Sequence, residues 1–285
     1  MLLQSSFLTV PKECTAVFLI KPKRSINLAR IYPLFSSSKG NSTYIGTKSE
    51  GILIDDGVSF SRLKKAMEIN GLSVDAIKAV FITHEHSDHT KGLAVLTKKI
   101  KAPVFAQSLT LEYLCQSGLI NGECFELKEG EEICGMNVRC FNTPHDTRES
   151  CGYRIELPDG KTAAVCTDLG HVTETVEKNL LGTDCVLLEA NYDIEMLRNG
   201  IYPYHLKTRI FSNNGHLSNV DSGEFAAKLV KSGTTRLILG HLSQENNTPE
   251  LAENTVFNCL HGFVRNSDYT LSVAPVETSG GYITF

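Results

Sequence analysis

Short apolar runs alternate along the chain with amphipathic segments, and polar or glycine-containing turns separate them. Apolar runs rich in β-branched and aromatic residues predict strands, whereas apolar positions three and four residues apart predict helices. The predicted strands are residues 30–34, 43–45, 52–54, 79–83, 125–127, 136–141, 150–156, 161–167, 184–189, 236–239 and 268–273. The predicted helices are residues 59–70, 91–100, 109–115, 173–181, 221–232 and 248–259.

Helices flank strands in both halves of this pattern, which predicts an α/β fold of two packed β-sheets with helices outside. The polar residues 36–42 are predicted to form a loop, and Pro158-Asp159-Gly160 predicts a hairpin turn. No linker or internal repeat divides the pattern, so residues 29–285 are expected to form a single domain. Residues 1–28 are expected to be an N-terminal extension of unclear role.

Composition narrows the class of protein. The chain has 285 residues, 41% of them apolar and 21% charged, so a packed soluble core is expected. The formal net charge of −4 argues against a generally basic nucleic-acid binder, so any polyanion would need a local basic patch or metal ions. No apolar run approaches the ~18 residues of a membrane helix, so no membrane partner is expected.

Nine cysteines are present, none of them in a C-x-x-C pair, and several lie inside apolar strand-like runs. This pattern is typical of buried, reduced thiols rather than of a disulfide framework. We therefore expect a cytoplasmic protein without a disulfide-linked partner.

The segment T-H-E-H-S-D-H carries the strongest chemical signal. It places His84, His86, Asp88 and His89 within six positions, directly after the predicted strand 79–83. Neutral imidazole and carboxylate oxygen are ligands of zinc and related divalent ions. In an extended segment His84, His86 and Asp88 would share one face, which favours a metal site over a polar surface loop.

Further candidate ligands follow other predicted strands. His145 comes after the strand at 136–141, Asp168 after the strand at 161–167 and His241 after the strand at 236–239. Alone, each would more often be a cap or a surface residue. Together with the first cluster they predict a metal centre built from several strand ends.

This order of ligands resembles that of the metallo-β-lactamase-fold hydrolases. The resemblance implies a four-layer αβ/βα sandwich, with two mixed β-sheets flanked by helices and a site for two divalent metal ions. It implies that His84, His86 and His145 hold one ion, that Asp88, His89 and His241 hold the other, and that Asp168 bridges them. His86 and Asp168 stand where the redox branch and the antibiotic-degrading branch would carry glutamate and cysteine. This favours a non-redox hydrolase with zinc or manganese.

Two such ions would lower the pKa of a shared water from about 15.7 toward about 7 and clamp the attacking and leaving oxygens. The implied nucleophile is therefore a metal-activated hydroxide. Asp88 is assigned a catalytic role as well, since it can accept a hydrogen bond from that hydroxide.

Finer features resemble the YycJ/WalJ-like exonuclease branch of this superfamily. They are the S-S-S-K-G-N-S segment at 36–42, the H-D-x-x-x-S-x-G-Y segment at 145–153, N-G-H-L-S-N at 214–219 and L-G-H-L-S at 239–243. The resemblance implies metal-dependent cleavage of a DNA phosphodiester, 5′ to 3′ exonuclease-like, with a role in mismatch repair. DNA would then be the partner.

Candidate substrate-binding residues follow from the side chains themselves. Ser36, Ser37 and Asn41 offer hydroxyl and amide donors suited to phosphate oxygens, or form a plain serine-rich turn. Lys207 and Arg209 form a basic spot that either neutralises backbone phosphates or lies on a solvated helix face.

Four other histidines lie outside this set of ligands. His216 is assigned a catalytic role, either donating a proton to the leaving oxygen or binding the scissile phosphate. Its alternative role is to cap the helix that begins near Asp221. His171 is given no role, and His205 and His261 are expected to be structural or exposed.

Three alternative functions share the same ligands. They are an RNA-processing endonuclease, a thioester or lactone hydrolase, and a non-catalytic, metal-stabilised binding protein. The sequence leaves open the choice between zinc and manganese, the polarity of digestion and the oligomeric state.

Overall fold

A mixed sheet of six strands forms the first half of the protein, in the order in which the strands occur in the chain. We describe it from a computed structural model, which covers residues 29–128 and 130–284. The first three strands are antiparallel and the last four parallel, the third strand being common to both parts. They are β1 (Arg30–Ser37), β2 (Gly40–Gly46), β3 (Gly51–Ile54), β4 (Ile77–Phe81), β5 (Val104–Ala106) and β6 (Cys124–Glu126).

A second mixed sheet of seven strands repeats this plan in the second half, with the antiparallel part first and the parallel part last. Its strands run in consecutive order across the sheet. They are β7 (Glu131–Ile133), β8 (Met136–Asn142), β9 (Cys151–Glu156), β10 (Thr162–Cys166), β11 (Cys185–Glu189), β12 (Arg236–Gly240) and β13 (Thr270–Val273).

Helices cover the outer face of each sheet. The parallel strands are apolar on both faces, so each face must be buried against another layer. All five residues of β11, for example, are buried. The helices are α1 (Phe60–Ile69), α2 (Ser87–Thr90), α3 (Leu93–Lys99), α4 (Ser108–Gln116), α5 (Glu174–Leu180), α6 (Ile194–Asn199), α7 (Tyr204–Ile210), α8 (Asn219–Lys231) and α9 (Pro249–Cys259), with a 3₁₀ turn at Val74–Ala76.

Three large apolar cores hold these layers together. One lies between the two sheets and includes Phe81 and Tyr153, whose rings meet edge to face at 5.6 Å between centroids. The others lie between the first sheet and α1, α3 and α4, and between the second sheet and α5, α8 and α9. The predicted αβ/βα sandwich is therefore confirmed.

Most predicted elements are confirmed to within a few residues. The predicted helix 59–70, for instance, is α1, and Gly160 forms the predicted turn between β9 and β10 with φ +84°. The N-terminal extension, residues 1–28, lies outside the described residues. None of the helices in the described ranges is long and apolar enough to cross a membrane.

Two local predictions were wrong. Residues 36–42 are not a loop, since β1 and β2 pair up to Ser37 and Gly40 and leave only Ser38 and Lys39 as the turn. The segment after His86 is not extended, because Asp88 and His89 lie on the short helix α2. The short elements β5, β7, α6 and α7 were not predicted.

Candidate metal centre

The carboxyl ends of parallel strands meet at one edge of a sheet, and the candidate ligands gather at this edge. His84 and His86 follow β4, Asp168 follows β10 and His241 follows β12. His145 follows β8, which runs in the same direction as β10 because both are antiparallel to β9. The structure thus brings together all the side chains that the sequence singled out as metal ligands.

The first group consists of His84, His86 and His145. One ligand atom from each lies within 4.8 Å of those of the other two. Their ring centroids are 4.8 Å, 5.2 Å and 5.3 Å apart, so the imidazoles surround a common point.

The second group consists of Asp88, His89 and His241. Asp88 Oδ2 lies 3.4 Å from His89 Nε2 and 3.5 Å from His241 Nε2. Ligand atoms about 2.1 Å from a zinc ion at tetrahedral angles are about 3.4 Å apart. The spacing of the second group therefore matches a common metal ion.

Asp168 lies between the two groups. Its Oδ1 is 3.5 Å from His145 Nε2 in the first group, and its Oδ2 is 3.1 Å from His89 Nε2 in the second. One carboxylate thus presents one oxygen to each group, which is the geometry of a bridging ligand.

Two buried atoms support a cation at this place. In residues 29–128 and 130–284, His84 Nε2 has no hydrogen-bond partner, and Asp168 Oδ2 accepts no hydrogen bond of good geometry although His89 Nε2 lies 3.1 Å from it. A buried polar atom without a partner costs about 1–3 kcal/mol, so such atoms are rare unless a ligand or water satisfies them. Both point into the centre, and the donor set of imidazole and carboxylate suits a divalent metal ion.

The outward nitrogens of three ligand histidines are already bound. His89 Nδ1 donates to Asp55 at 2.7 Å, His145 Nδ1 donates to the carbonyl of Gly215 at 2.9 Å, and His241 Nδ1 donates to Glu189 at 2.8 Å. Such bonds fix the tautomer and leave the Nε2 lone pair for a metal.

Three residues in and around the centre have left-handed backbone. Asp55, Asp168 and His241 each come within two residues of a strand end and have φ of 59°, 57° and 56°. The left-handed region is uncommon for residues other than glycine and is enriched at functional sites. At His241 the buried hydroxyl of Ser36 accepts the backbone N–H at 2.8 Å and holds this turn in place.

Gly57 allows β3 to approach the metal-binding loop. A Cβ at this position would lie 1.6 Å from the carbonyl oxygen of Asp88, so no other residue fits without moving that backbone. The sequence D-D-G after β3 therefore positions a predicted ligand through close packing of main chains.

Glu189 was missed by the sequence analysis. It is fully buried at the end of β11, where Oε1 accepts from His216 Nδ1 at 2.9 Å and from His241 Nδ1 at 2.8 Å. Its Oε2 accepts the backbone N–H groups of Leu169 and Leu217 at 2.8 Å and 3.1 Å. One carboxylate therefore joins three of the loops that carry the site.

The electrostatics of the centre favour positive charge. Burial by itself would raise the pKa of Asp168, but attraction to His241 and His89 outweighs it and lowers that pKa well below the usual range. Burial would also raise the pKa of Glu189, but His216 and His241 outweigh it and lower that pKa to about 2. The carboxylates thus stay ionised in the interior, which stabilises protons or metal ions nearby.

His216 lies beside the ligands but is not enclosed by them. Its ring centroid is 5.0 Å from that of His145 and 5.4 Å from that of His241, and its side chain is 19% exposed. Ser218, not His216, caps α8 by accepting from Asp221 N. The alternative capping role for His216 was therefore wrong.

Three residues predicted to bind phosphate, Ser36 and Ser37 at the end of β1 and Asn41 on β2, are buried and already hydrogen-bonded. Ser36 binds the His241 backbone, and the side chain of Asn41 bonds to both the N–H and the carbonyl of Ser37. Asn41 Nδ2 also lies 3.1 Å from His89 Nε2 and 3.4 Å from Asp88 Oδ2. These contacts position metal ligands, and phosphate binding by these residues stays a prediction.

The predicted basic spot is divided. Lys207 and Arg209 are two positions apart on α7 and so face different directions. Arg209 pairs with Asp146 through Nε and, at 3.0 Å, through Nη2, and Asp146 Oδ1 lies 3.5 Å from His145 Nε2. Lys207 instead donates to the carbonyl of Arg198 at 2.8 Å. Only Arg209 is brought to the metal centre by these contacts.

The chain is similar in sequence to known proteins of one family. The model of the family described as "Beta-lactamase superfamily domain" matches residues 51–242. Exodeoxyribonuclease WalJ of Streptococcus pneumoniae serotype 2 is 36% identical over 234 residues, which cover 80% of this chain and 86% of that protein. Exodeoxyribonuclease YycJ of Bacillus anthracis is 33% identical over 231 residues, covering 80% and 87%.

A solved structure supports the fold. Zn²⁺-bound PqqB from Methylobacterium extorquens superimposes with a TM-score of 0.67 at 17% identity, over 90% of this chain and all of that one. The family match and the two relatives go further, because they cover most of the sequence. The chain therefore belongs to the beta-lactamase superfamily, in its YycJ/WalJ-like branch, and is a metal-dependent hydrolase.

Proposed function

We propose that this protein is a dinuclear phosphodiesterase that degrades DNA from a 5′ end, with residues 29–285 acting as one domain. The observation that carries the proposal is Asp168, whose two oxygens face two separate groups of metal ligands. The substrate is taken from the two relatives, both of which are exodeoxyribonucleases by name. A DNA substrate is consistent with a role in DNA repair and a place in the cytoplasm.

Zinc or manganese would be held by His84, His86 and His145 on one side and by Asp88, His89 and His241 on the other. Two divalent ions there would supply an acidified water and neutralise charge on the phosphate oxygens. Asp88 has only moderate exposure and remains ionised, because nearby His89 and His241 offset burial and hold its pKa below the usual range. Its carboxylate can therefore accept a hydrogen bond from a metal-activated hydroxide.

Arg209 and His216 complete the proposed machinery. Arg209 is held by Asp146, next to His145, where its guanidinium can meet a phosphate oxygen. His216 donates Nδ1–H to the Glu189 carboxylate, which stabilises the imidazolium form, and in that form Nε2–H can donate a proton to the leaving oxygen.

Replacing His216 by alanine is expected to lower kcat on DNA about 100-fold, the loss typical of a missing general acid. Metal content should stay at the wild-type level, because His216 is not among the proposed ligands. His205→Ala, which removes an exposed histidine on α7, is the matched control and should retain full activity. Wild-type kcat in the His216 variant, with metal retained, would exclude the catalytic role.

The function itself is tested with DNA labelled at either the 5′ or the 3′ end, incubated with added zinc, manganese or a chelator. We expect release of short products from the 5′ label with one of the metals, and none with the chelator. Matched RNA, a small phosphodiester and a glutathione thioester serve as competing substrates. Preference for RNA or for the thioester over DNA would overturn the proposal.

A further inference from the structure

We propose that the backbone of the DNA strand crosses the metal centre between two cationic side chains, Lys39 on one side and Arg148 on the other. This inference rests on the proposed function and specifies its substrate as a polynucleotide, with phosphates bound on both sides of the scissile bond. Neither residue was singled out by the sequence.

Lys39 is placed beside the second group of ligands. It is exposed in the two-residue turn between β1 and β2, where its backbone N–H donates to Ser37 Oγ at 3.2 Å. Asn41, at the start of β2, reaches Asp88 Oδ2 at 3.4 Å and His89 Nε2 at 3.1 Å. The turn that carries the Lys39 ammonium is therefore fastened to the metal centre.

Arg148 is placed beside the first group. It is exposed and lies three residues after His145, and its backbone N–H donates at 2.9 Å to Glu85, which stands between His84 and His86. Its guanidinium carbon lies 5.3 Å from the centroid of the Tyr113 ring. This stacking orients the guanidinium and offers a flat surface against which a base can pack.

Both cations are available to a ligand. Neither forms an ion pair with any carboxylate in the part of the chain that the structure describes, whereas Arg209 is bound to Asp146. Exposed lysines without partners are common on protein surfaces, and the position of these two cations distinguishes them from the others. Lys39 and Arg148 lie on the two segments that adjoin the two ligand groups, in a protein whose net charge is −4.

This placement matches the chemistry of a polynucleotide. Cationic side chains bind backbone phosphates and release counterions, which makes binding depend on salt concentration. A small phosphodiester that fills only the metal centre would gain little from either residue. A thioester has no phosphate for them to bind.

The test compares Lys39→Gln, Arg148→Gln and the double variant with the wild type on single-stranded DNA and on bis(p-nitrophenyl) phosphate. Each substitution should lower the ratio of kcat/KM for DNA to that for the small ester about tenfold, mainly through KM. The dependence of log(kcat/KM) on log[salt] should become shallower by about 0.7 for each phosphate that the variant no longer neutralises. Lys39→Arg and Arg148→Lys, which keep the charge, should restore most of the ratio.

The controls are Lys231→Gln and Arg139→Gln, which remove exposed cations at the end of α8 and on β8. They should leave the ratio unchanged, and metal content should match the wild type in every variant. If the double variant keeps the wild-type ratio and salt slope while the wild type digests DNA, the inference is wrong but the proposed function stands. If the wild type cleaves only the small ester, the proposed function fails first.

Discussion

Asp168→Asn is expected to lower kcat/KM on DNA by at least about 1,000-fold, equivalent to about 4 kcal/mol of transition-state stabilisation from the metal centre. The carboxylate presents one oxygen to His145 and the other to His89, so its loss affects both ligand groups at once. Asparagine keeps the shape and tolerates the left-handed backbone at this position, where φ is 57°. A lower kcat/KM in this variant would therefore result from the missing negative charge and not from a distorted backbone turn.

The measurement for this variant is metal content together with activity. We expect the bound metal to fall from two equivalents to one or fewer. Asp184→Asn is the matched control, because Asp184 lies just before β11, at the opposite end from Glu189, and accepts from Thr162 and Lys161. It should bind metal and cleave DNA normally. Full metal content and activity in Asp168→Asn would rule out the bridging role.

The metal ligands could be predicted from sequence because each follows a strand, and parallel strands end at the same edge of a sheet. The apolar runs of β4, β10 and β12 are easy to find, since they are buried on both faces. The next polar residue with metal-binding chemistry is then a ligand candidate. The resemblance to a known family added the grouping of the ligands, which strand ends alone do not determine.

Glu189 could not be identified as part of the site from the pattern of strands and ligand types alone. It lies within the predicted strand 184–189, where it looks like the polar end of an apolar run. Its partners, His216 and His241, are 27 and 52 residues away, and their meeting depends on how β11 and β12 pair. A glutamate that ends a strand between two ligand-bearing strands is the signal that could have found it.

The predicted phosphate-binding residues show a different limit of the sequence. Their residue types suited phosphate, but type does not determine which way a side chain points. Ser36 and Asn41 lie on paired strands and face the interior, which followed only once residues 36–42 were known to form a hairpin rather than a loop. Lys207 and Arg209 lie on a helix that was not predicted, and the helical period separates them.

Glu189→Gln is expected to weaken metal binding about 10- to 100-fold, the range found when a group that orients a metal ligand is removed. A carboxylate offers only acceptors, and Glu189 uses both oxygens to accept from two imidazoles and two backbone N–H groups. In glutamine an NH₂ group replaces one of these oxygens. This donor would face an imidazole or backbone N–H that also donates. The orientation of His241 would then no longer be fixed.

The same substitution should also lower the free energy of unfolding by about 3 kcal/mol, because breaking a buried charged network leaves its partners unpaired. Urea unfolding in the presence of a chelator measures this effect without any contribution from bound metal. Glu177→Gln is the matched control, since Glu177 forms a surface ion pair with Lys228 at 3.1 Å that contributes less than about 1 kcal/mol. Equal unfolding free energies and metal affinities for wild type and Glu189→Gln would show that Glu189 does not hold the centre together. A loss of stability with unchanged metal affinity would instead confine its role to joining the loops.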